Sequence, residues 1–251
     1  MSIPYDGMVQ LAREQIKEGA HILDLCVAYV GRDEVRDMRE VMKRFNTQVT
    51  LPLMIDSTEY LVIEEALKRY AGRAIINSIN LEDGEERMKR VLPLCKKYGA
   101  AVIALTIDET GMAKTREKKF EVAKRIRDLA VDKYGMREED LIFDTLTFTL
   151  GSGDEEFRKA GIETIEAIRL IKREFPRAYT LLGVSNASFG LNAHVRHVLN
   201  SVFLYYSIDA GLDLAIVNAQ KIMPLYKIEE RGREISRQLV FDERKFEVAE
   251  G

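Results

Sequence analysis

The sequence predicts one parallel α/β domain of the TIM (β/α)8-barrel type, lacking the first of the eight strands. Short, nearly continuous apolar runs alternate with longer amphipathic stretches, as in a parallel sheet covered by helices on both faces. Glycines such as Gly99 separate a helical stretch from the strand that follows it. Each strand-like run ends near a small polar residue, and no G-x-G-x-x-G follows the first run, so the barrel is favoured over an open doubly wound sheet.

Seven apolar runs are predicted to be strands, because they are short and nearly continuous in apolar residues. They are His21–Val27, Val49–Ile55, Ala74–Ile79, Ala101–Ile107, Leu141–Phe143, Tyr179–Val184 and Asp213–Val217. Helical periodicity fills the segments between them, for example over residues 61–70, 120–134 and 162–171.

The chain opens on a helix-like stretch, Asp6–Glu18, where a closed barrel would have its first strand. We therefore expect a fragment or a truncated form, whose open sheet edge favours pairing with a second copy as a homodimer. Residues 1–223 are assigned to the barrel, and residues 224–251, which are strongly charged, to a helical extension.

Composition excludes several classes of function. Acidic and basic residues are interspersed with a net charge of −3, which indicates neither a nucleic-acid nor an anionic-membrane partner. No apolar run approaches the roughly 20 residues of a membrane span, and the start does not resemble a signal peptide. Cys26 and Cys95 are expected to be buried free thiols of a cytoplasmic protein. The three histidines and two cysteines form no cluster with metal-ligand spacing, so no bound metal is expected.

Polar residues at the strand ends are the candidate functional residues. Because the carboxyl ends of barrel strands converge on one mouth, these side chains are expected to form a polar cup there. A carboxylate accepts two parallel hydrogen bonds from a donor-rich heterocycle, and an asparagine both donates and accepts, although sugar and metal sites use the same residues. The series is Asp24, Asp56, Asn77, Asp108, Asp144, Asn186 and Asn218.

Local structure offers a competing explanation for most of this series. Asp56 precedes Ser-Thr-Glu and could cap the next helix, and Asn77 and Asn80 could both be turn residues. Asp108 could likewise cap a helix or stabilise a turn. Asp144 is followed by TLTFTL rather than by a helix, so no cap explains it and a functional role is favoured.

Three further candidates remain open in the same way. Asn186 could cap the following helix or contact a ligand. Arg196 falls within a predicted helix, where an arginine is ordinarily a solvated charge. Asp24 could be structural.

Several of these motifs resemble the pterin-binding family, over nearly the whole chain. The matching stretches include LPLMIDSTEYLVIEEAL, AIINSINLEDGEER, EDLIFDTLTFTLGSG and TLLGVSNASFGLN. The family includes dihydropteroate synthases and the folate-binding domains of cobalamin-dependent methyltransferases, the group of methionine synthase. GVSNASFGL looks like the methyltransferase branch, since a dihydropteroate synthase would have a basic residue at that strand end.

The resemblance implies a dihydropteroate synthase-like barrel that binds 5-methyltetrahydrofolate as substrate. It implies methyl transfer to cobalamin or another corrinoid supplied by another domain or protein, with no metal in this domain. The alternatives are dihydropteroate synthesis, or a truncated pterin-binding module without full activity. Residue by residue, the resemblance implies pterin binding by Asp56, Asn77 and Asp144, contact with the methyl-bearing nitrogen by Asn186, substrate contact by Arg196, and secondary roles for Asp108 and Asp24.

Overall fold

A computed structural model describes residues 5–152 and 154–243. The helices are α1 (Tyr5–Lys17), α2 (Glu34–Gln48), α3 (Tyr60–Leu67), α4 (Glu86–Tyr98), α5 (Arg116–Asp128), α6 (Ala160–Glu174), α7 (Ala193–Asp209) and α8 (Glu230–Val240). The strands are β1 (Leu23–Cys26), β2 (Leu53–Asp56), β3 (Ile75–Ile79), β4 (Ala101–Leu105), β5 (Ile107–Asp108), β6 (Gly111–Met112), β7 (Leu141–Asp144), β8 (Tyr179–Gly183) and β9 (Leu214–Ile216).

Seven strands form one sheet in the order β1-β2-β3-β4-β7-β8-β9, and β5 pairs with β6 in a separate two-stranded sheet. Strand β1 pairs in parallel with β2, β2 with β3, β3 with β4, and β8 with β9. All seven predicted strands are confirmed, and so is a helix, α1, before the first of them. The β5–β6 hairpin was not predicted, because the run Ala101–Ile107 divides after Leu105.

The chain divides into two compact units, Met1–Glu109 with Arg125–Ile142, and Thr110–Lys124 with Phe143–Gly251. In the first unit, buried strand residues such as Ile55 and Ile76 belong to the core together with Met38 of α2. Burial of these apolar side chains is the main force that stabilises such a unit.

The second unit has its own core, which includes Phe143 of β7 and Phe203 of α7. Helix α8 packs against α6 and α7 in this unit. An ideal Cβ on Gly161 of α6 would lie 2.5 Å from the backbone oxygen of Val240, so α6 and α8 approach closely there. The helix predicted after residue 223 is present as α8, whereas the separate extension over 224–251 stays a prediction, as does the homodimer.

Cys95 is buried and Cys26 is exposed, and both are free thiols. The expectation that both are buried is wrong for Cys26, because β1 alternates buried and exposed side chains and Cys26 falls on the exposed face. Within the described ranges, no helix is both long and apolar enough to cross a bilayer.

Candidate functional site

Three of the predicted site residues lie on neighbouring strands of the first unit. Asp56 ends β2 and pairs with Cys26 of β1 on one side and with Asn77 of β3 on the other. Residues paired in this way lie about 5 Å apart and project from the same face of the sheet. Asp24 lies two residues before Cys26 and therefore projects from that face as well. The structure thus brings Asp24, Asp56 and Asn77 together.

The surrounding protein raises the pKa of both carboxylates in this group. Burial raises the pKa of Asp56, and the positive charge of Arg87 opposes that rise. Asp24 has accessible surface. Even so, partial desolvation of its carboxylate, and then the negative charge of Asp56, raise its pKa to about 6. Within the described residues, the side chains of Asp24, Asp56 and Asn77 make no hydrogen bond, so their acceptors are available to a ligand.

The capping interpretation of Asp56 is wrong. Helix α3 begins only at Tyr60, and its N-terminal neighbour Glu59 makes no side-chain capping bond. The local turn is held instead by Ser57, whose Oγ accepts a hydrogen bond from the backbone N–H of Glu59 over 3.1 Å. Asp56 is therefore not needed to start the helix.

The turn interpretation separates the two asparagines. Asn77 lies inside β3, where no turn requires it. Asn80 follows the strand, and its Oδ1 accepts a hydrogen bond from the backbone N–H of Glu82 over 3.0 Å, which is the geometry of an Asx turn. Asn80 is thus the turn residue, and Asn77 has no such local task.

Arg87 on α4 holds the backbone directly after both polar residues. Its Nη2 donates to the carbonyl oxygen of Ser57 over 2.7 Å, its Nε donates to that of Ser78 over 3.0 Å, and its Nη1 donates to that of Thr58. Ser57 follows Asp56, and Ser78 follows Asn77. A single half-buried guanidinium therefore holds the backbone at both strand ends.

Asp108 lies buried in β5, just before the turn of the β5–β6 hairpin. The capping interpretation of Asp108 is wrong, because the next helix, α5, begins only at Arg116. Substrate contact by Asp108 stays a prediction. No group of three His, Cys, Asp or Glu in the described part of the chain could hold a metal ion.

In the second unit, Asp144 ends β7 and is tied to the loop that follows it. Its Oδ1 accepts a hydrogen bond from the backbone N–H of Leu146 over 2.7 Å, and Leu146 has a φ of 59°. Burial raises the pKa of Asp144 to about 6, against the opposing effects of the Leu146 N–H and the positive charge of Lys119. A carboxylate held in this way accepts hydrogen bonds strongly once it is ionised.

Asn186 lies in the short 3-10 helix Val184–Ser188 after β8, and its side chain is exposed. The capping alternative is wrong, because α7 is capped by Asn192, whose Oδ1 accepts from the backbone N–H of Val195 over 3.1 Å. Within the residues that the structure covers, the Asn186 side chain makes no hydrogen bond.

Arg196 on α7 is connected to the same 3-10 helix. Its Nε donates to the Oγ of Ser188 over 3.2 Å, and Ser188 Oγ donates to the backbone oxygen of Ser185 over 3.2 Å. Arg196 is therefore not simply a solvated charge. Asn218 has a local explanation, since its Oδ1 accepts from the backbone N–H of Gln220 over 3.2 Å and caps a single 3-10 turn.

Sequence reasoning missed the two cations behind these strand ends, Arg87 and Lys119. One signal for Lys119 was available, because it lies four and seven positions before Ala123 and Ile126, on the buried stripe of α5. A lysine in phase with a buried helix face indicates an internal partner. No comparable pattern indicates Arg87.

Known proteins are similar to this chain over most of its length. A family model described as "Pterin binding enzyme" matches residues 3–218. Methionine synthase from Mycobacterium tuberculosis is 49% identical over 244 residues, which cover 96% of this chain and 20% of that protein, and methionine synthase from Mycobacterium leprae gives the same figures. This chain therefore spans 20% of the length of these curated relatives.

Among solved structures, the dihydropteroate synthase from Xanthomonas albilineans in complex with 7,8-dihydropteroate is similar, with a TM-score of 0.64. It is 18% identical, and the match covers 88% of this chain and 82% of that one. At this identity the similarity concerns the fold, and it confirms the predicted dihydropteroate synthase-like (β/α) architecture. Since the family model covers most of the chain, this protein belongs to the pterin-binding enzyme family.

Proposed function

We propose that this chain is the folate-binding part of a methyltransferase, which binds 5-methyltetrahydrofolate and releases its methyl group to a corrinoid. The observation that carries the proposal is the 49% identity to methionine synthases over 96% of the chain. The carboxylates and amides at its strand ends support it, because several of them have no structural partner that explains their presence.

In the first unit, Asp56 and Asn77 are proposed to bind the pterin ring. Because they are paired on adjacent strands, one offers two acceptor oxygens beside a group that both donates and accepts. The N–H-rich edge of a reduced pterin suits such a pair. Asp24, on the same face, and Asp108 are proposed as secondary contacts.

In the second unit, Asp144 and Asn186 are proposed as the residues nearest the chemistry, with Arg196 as a further substrate contact. Asp144 would accept hydrogen bonds from the pterin. Asn186 would approach N5, the nitrogen that bears the methyl group. Arg196 would orient the 3-10 helix that carries Asn186 through its bond to Ser188.

The chemical difficulty lies in the leaving group. When the N5–methyl bond breaks, its electron pair stays on N5, which is a poor leaving group unless it accepts a proton. A side chain that directs a hydrogen bond at N5 in the transition state lowers this barrier. An exposed amide without a local partner, such as Asn186, suits this task.

The proposed methyl acceptor is a reduced cobalamin or related corrinoid, which supplies the nucleophile when it is presented by another domain or protein. The curated relatives are much longer than this chain, and their remaining length leaves room for such a domain. We further propose a cytoplasmic location, in keeping with the two free cysteines.

The test uses the purified chain, calorimetry with 5-methyltetrahydrofolate, and a methyl-transfer assay with reduced cobalamin. Asn186→Ala should slow transfer by about 10-fold or more while the folate dissociation constant changes much less. Asn192→Ala, which removes only the α7 cap, is the matched control. Absence of folate binding by the wild-type chain would refute the proposal. Formation of dihydropteroate from its pyrophosphate precursor would favour the alternative enzyme class.

A further inference from the structure

Lys119 is a lysine without accessible surface. It lies on α5 and is fully buried in the second unit. Burying an ammonium group without partners is costly, so a protein that retains one supplies compensating contacts. Those contacts show what the charge is used for.

The ammonium contacts the backbone that carries Asp144. Lys119 Nζ donates to the carbonyl oxygen of Thr145, and to that of Leu146 over 3.3 Å. It also lies 4.9 Å from the ring centroid of Phe148, within cation–π range. All three contacts are with the TLTFTL segment that directly follows Asp144.

A second donor from another helix reinforces this arrangement. Thr164 on α6 donates from Oγ1 to the carbonyl oxygen of Leu146 over 2.9 Å. The backbone N–H of Leu146 donates to Asp144 Oδ1 over 2.7 Å. Leu146 is therefore held on its carbonyl side by Lys119 and Thr164, and its N–H in turn holds the carboxylate.

Two acidic side chains favour the charged form of Lys119. One is Asp144, at the end of β7, and the other is Glu163 on α6. Glu163 already accepts hydrogen bonds from the backbone N–H and the guanidinium of Arg116, over 2.6 and 2.7 Å. The positive charge of Lys119 lowers the pKa of Asp144.

We propose that Lys119 is a positioning residue for Asp144: its buried ammonium fixes the loop that orients the carboxylate and supplies positive charge behind it. The inference rests on the proposed function, in which Asp144 accepts hydrogen bonds from a pterin. It concerns the protonation of Asp144 as well as its position. Burial lowers the pKa of Lys119 to about 7, so the charge is present at pH 6 and largely absent at pH 8.

The first experiment needs no ligand. The carboxyl carbon of Asp144, assigned with Asp144→Asn, is titrated by NMR in the wild type and in Lys119→Met. Because methionine carries no charge, the pKa of Asp144 should rise by about one unit in the variant. Lys118→Met is the matched control, since Lys118 Nζ lies 3.2 Å from Glu121 on an exposed face, and it should leave the titration unchanged.

The second experiment measures the dissociation constant of 5-methyltetrahydrofolate by calorimetry at pH 6 and pH 8. Lys119→Met should weaken binding by about 5-fold more at pH 6 than at pH 8, because only the lower pH retains the wild-type charge. Thr164→Val, which removes a neutral donor to the same carbonyl, should weaken binding equally at both pH values. If Lys119→Met fails to fold, Lys119→Gln takes its place.

The outcomes distinguish the two proposals. An unchanged pKa of Asp144 in the Lys119 variant overturns the positioning role, whatever the chain binds. A raised pKa together with no folate binding by the wild type supports the positioning role and refutes the proposed function. Equal weakening at both pH values would leave Lys119 as a structural residue only and would overturn the inference.

Discussion

The guanidinium of Arg87 donates from Nη2 to the carbonyl oxygen of Ser57 over 2.7 Å, immediately after Asp56 in the chain. The same group also holds the carbonyl oxygen of Ser78, immediately after Asn77. One side chain thereby joins two adjacent strand ends, in addition to the hydrogen bond that the Ser57 backbone N–H donates to the Asn77 carbonyl oxygen over 3.3 Å. The arrangement explains how the strand ends that carry Asp56 and Asn77 are held although neither side chain caps a helix or forms a turn.

We expect Arg87→Ala to destabilise the fold by roughly 2–4 kcal/mol, because carbonyl oxygens at these strand ends lose charge-assisted donors. Urea unfolding followed by circular dichroism measures the change. Arg90→Ala is the control from the same helix, since the Arg90 guanidinium stacks over the Tyr60 ring, 5.2 Å from its centroid. The control should cost about 1 kcal/mol or less. Equal losses in the two variants would contradict the bracing role of Arg87.

The two asparagines near β3 are expected to respond in opposite ways. Asn77→Ala should weaken folate binding by about 10-fold or more with little loss of stability, because the side chain has no structural hydrogen bond to lose. Asn80→Ala should leave binding unchanged and cost about 0.5–1 kcal/mol, because its Asx turn is lost. Calorimetry and thermal unfolding of both variants check this pair. Loss of binding in Asn80→Ala alone would reverse the assignment.

The sequence was sufficient for the strands because each is a short apolar run flanked by helical periodicity. It could not place the β5–β6 hairpin, since Ile107 continues the apolar run of β4 without a break in pattern. The exposure of Cys26 was likewise hidden, because a four-residue strand gives too few positions to show alternation.

The candidate site was predictable as a set of strand-end residues, but not in its supporting contacts. The distinction between Asn77 and Asn80 depends on where β3 ends, which single-sequence patterns place only to within a few residues. Arg87 acts on carbonyl oxygens of segments about 10 and 30 positions away, and side-chain to backbone bonds of that kind have no sequence signature.

Asp144→Asn should make the chain more stable at neutral pH. The pKa of Asp144 in the fold is about 6, above that of an unfolded aspartate, so the stability contributed by its protonated form is complete below about pH 4 and is lost as the pH rises through 6. Asparagine keeps the acceptor for the Leu146 N–H without ionising. We expect a gain of about 3 kcal/mol at pH 7.5 that largely disappears near pH 4.

Urea unfolding of the wild type and Asp144→Asn at both pH values provides the measurement. The same variant should bind folate about 10-fold more weakly or worse, because a neutral amide accepts hydrogen bonds less strongly than a carboxylate. Greater stability with weaker binding is the expected signature of a functional carboxylate. A variant that is less stable at pH 7.5 would show that the ionised group is structurally favourable.

Glycine substitutions test the contact between α6 and α8. Gly161→Ala should destabilise the chain by about 1–3 kcal/mol, because its Cβ would collide with the Val240 carbonyl of α8. Gly232→Ala is the control within α8, where the nearest atom to an added Cβ is 3.6 Å away. The control should raise stability by about 0.5–1 kcal/mol. Thermal unfolding compares the two, and a neutral Gly161→Ala would show that the helices can separate without cost.

Leu146 adopts a left-handed backbone conformation while its N–H and its carbonyl oxygen are both engaged, by Asp144 on one side and by Lys119 and Thr164 on the other. Its amide proton should consequently exchange with solvent slowly, although it lies in a loop. A loop that these bonds already hold in place loses little configurational entropy when a ligand binds. We therefore expect the loop after Asp144 to keep its conformation when a ligand binds, rather than to fold around the ligand.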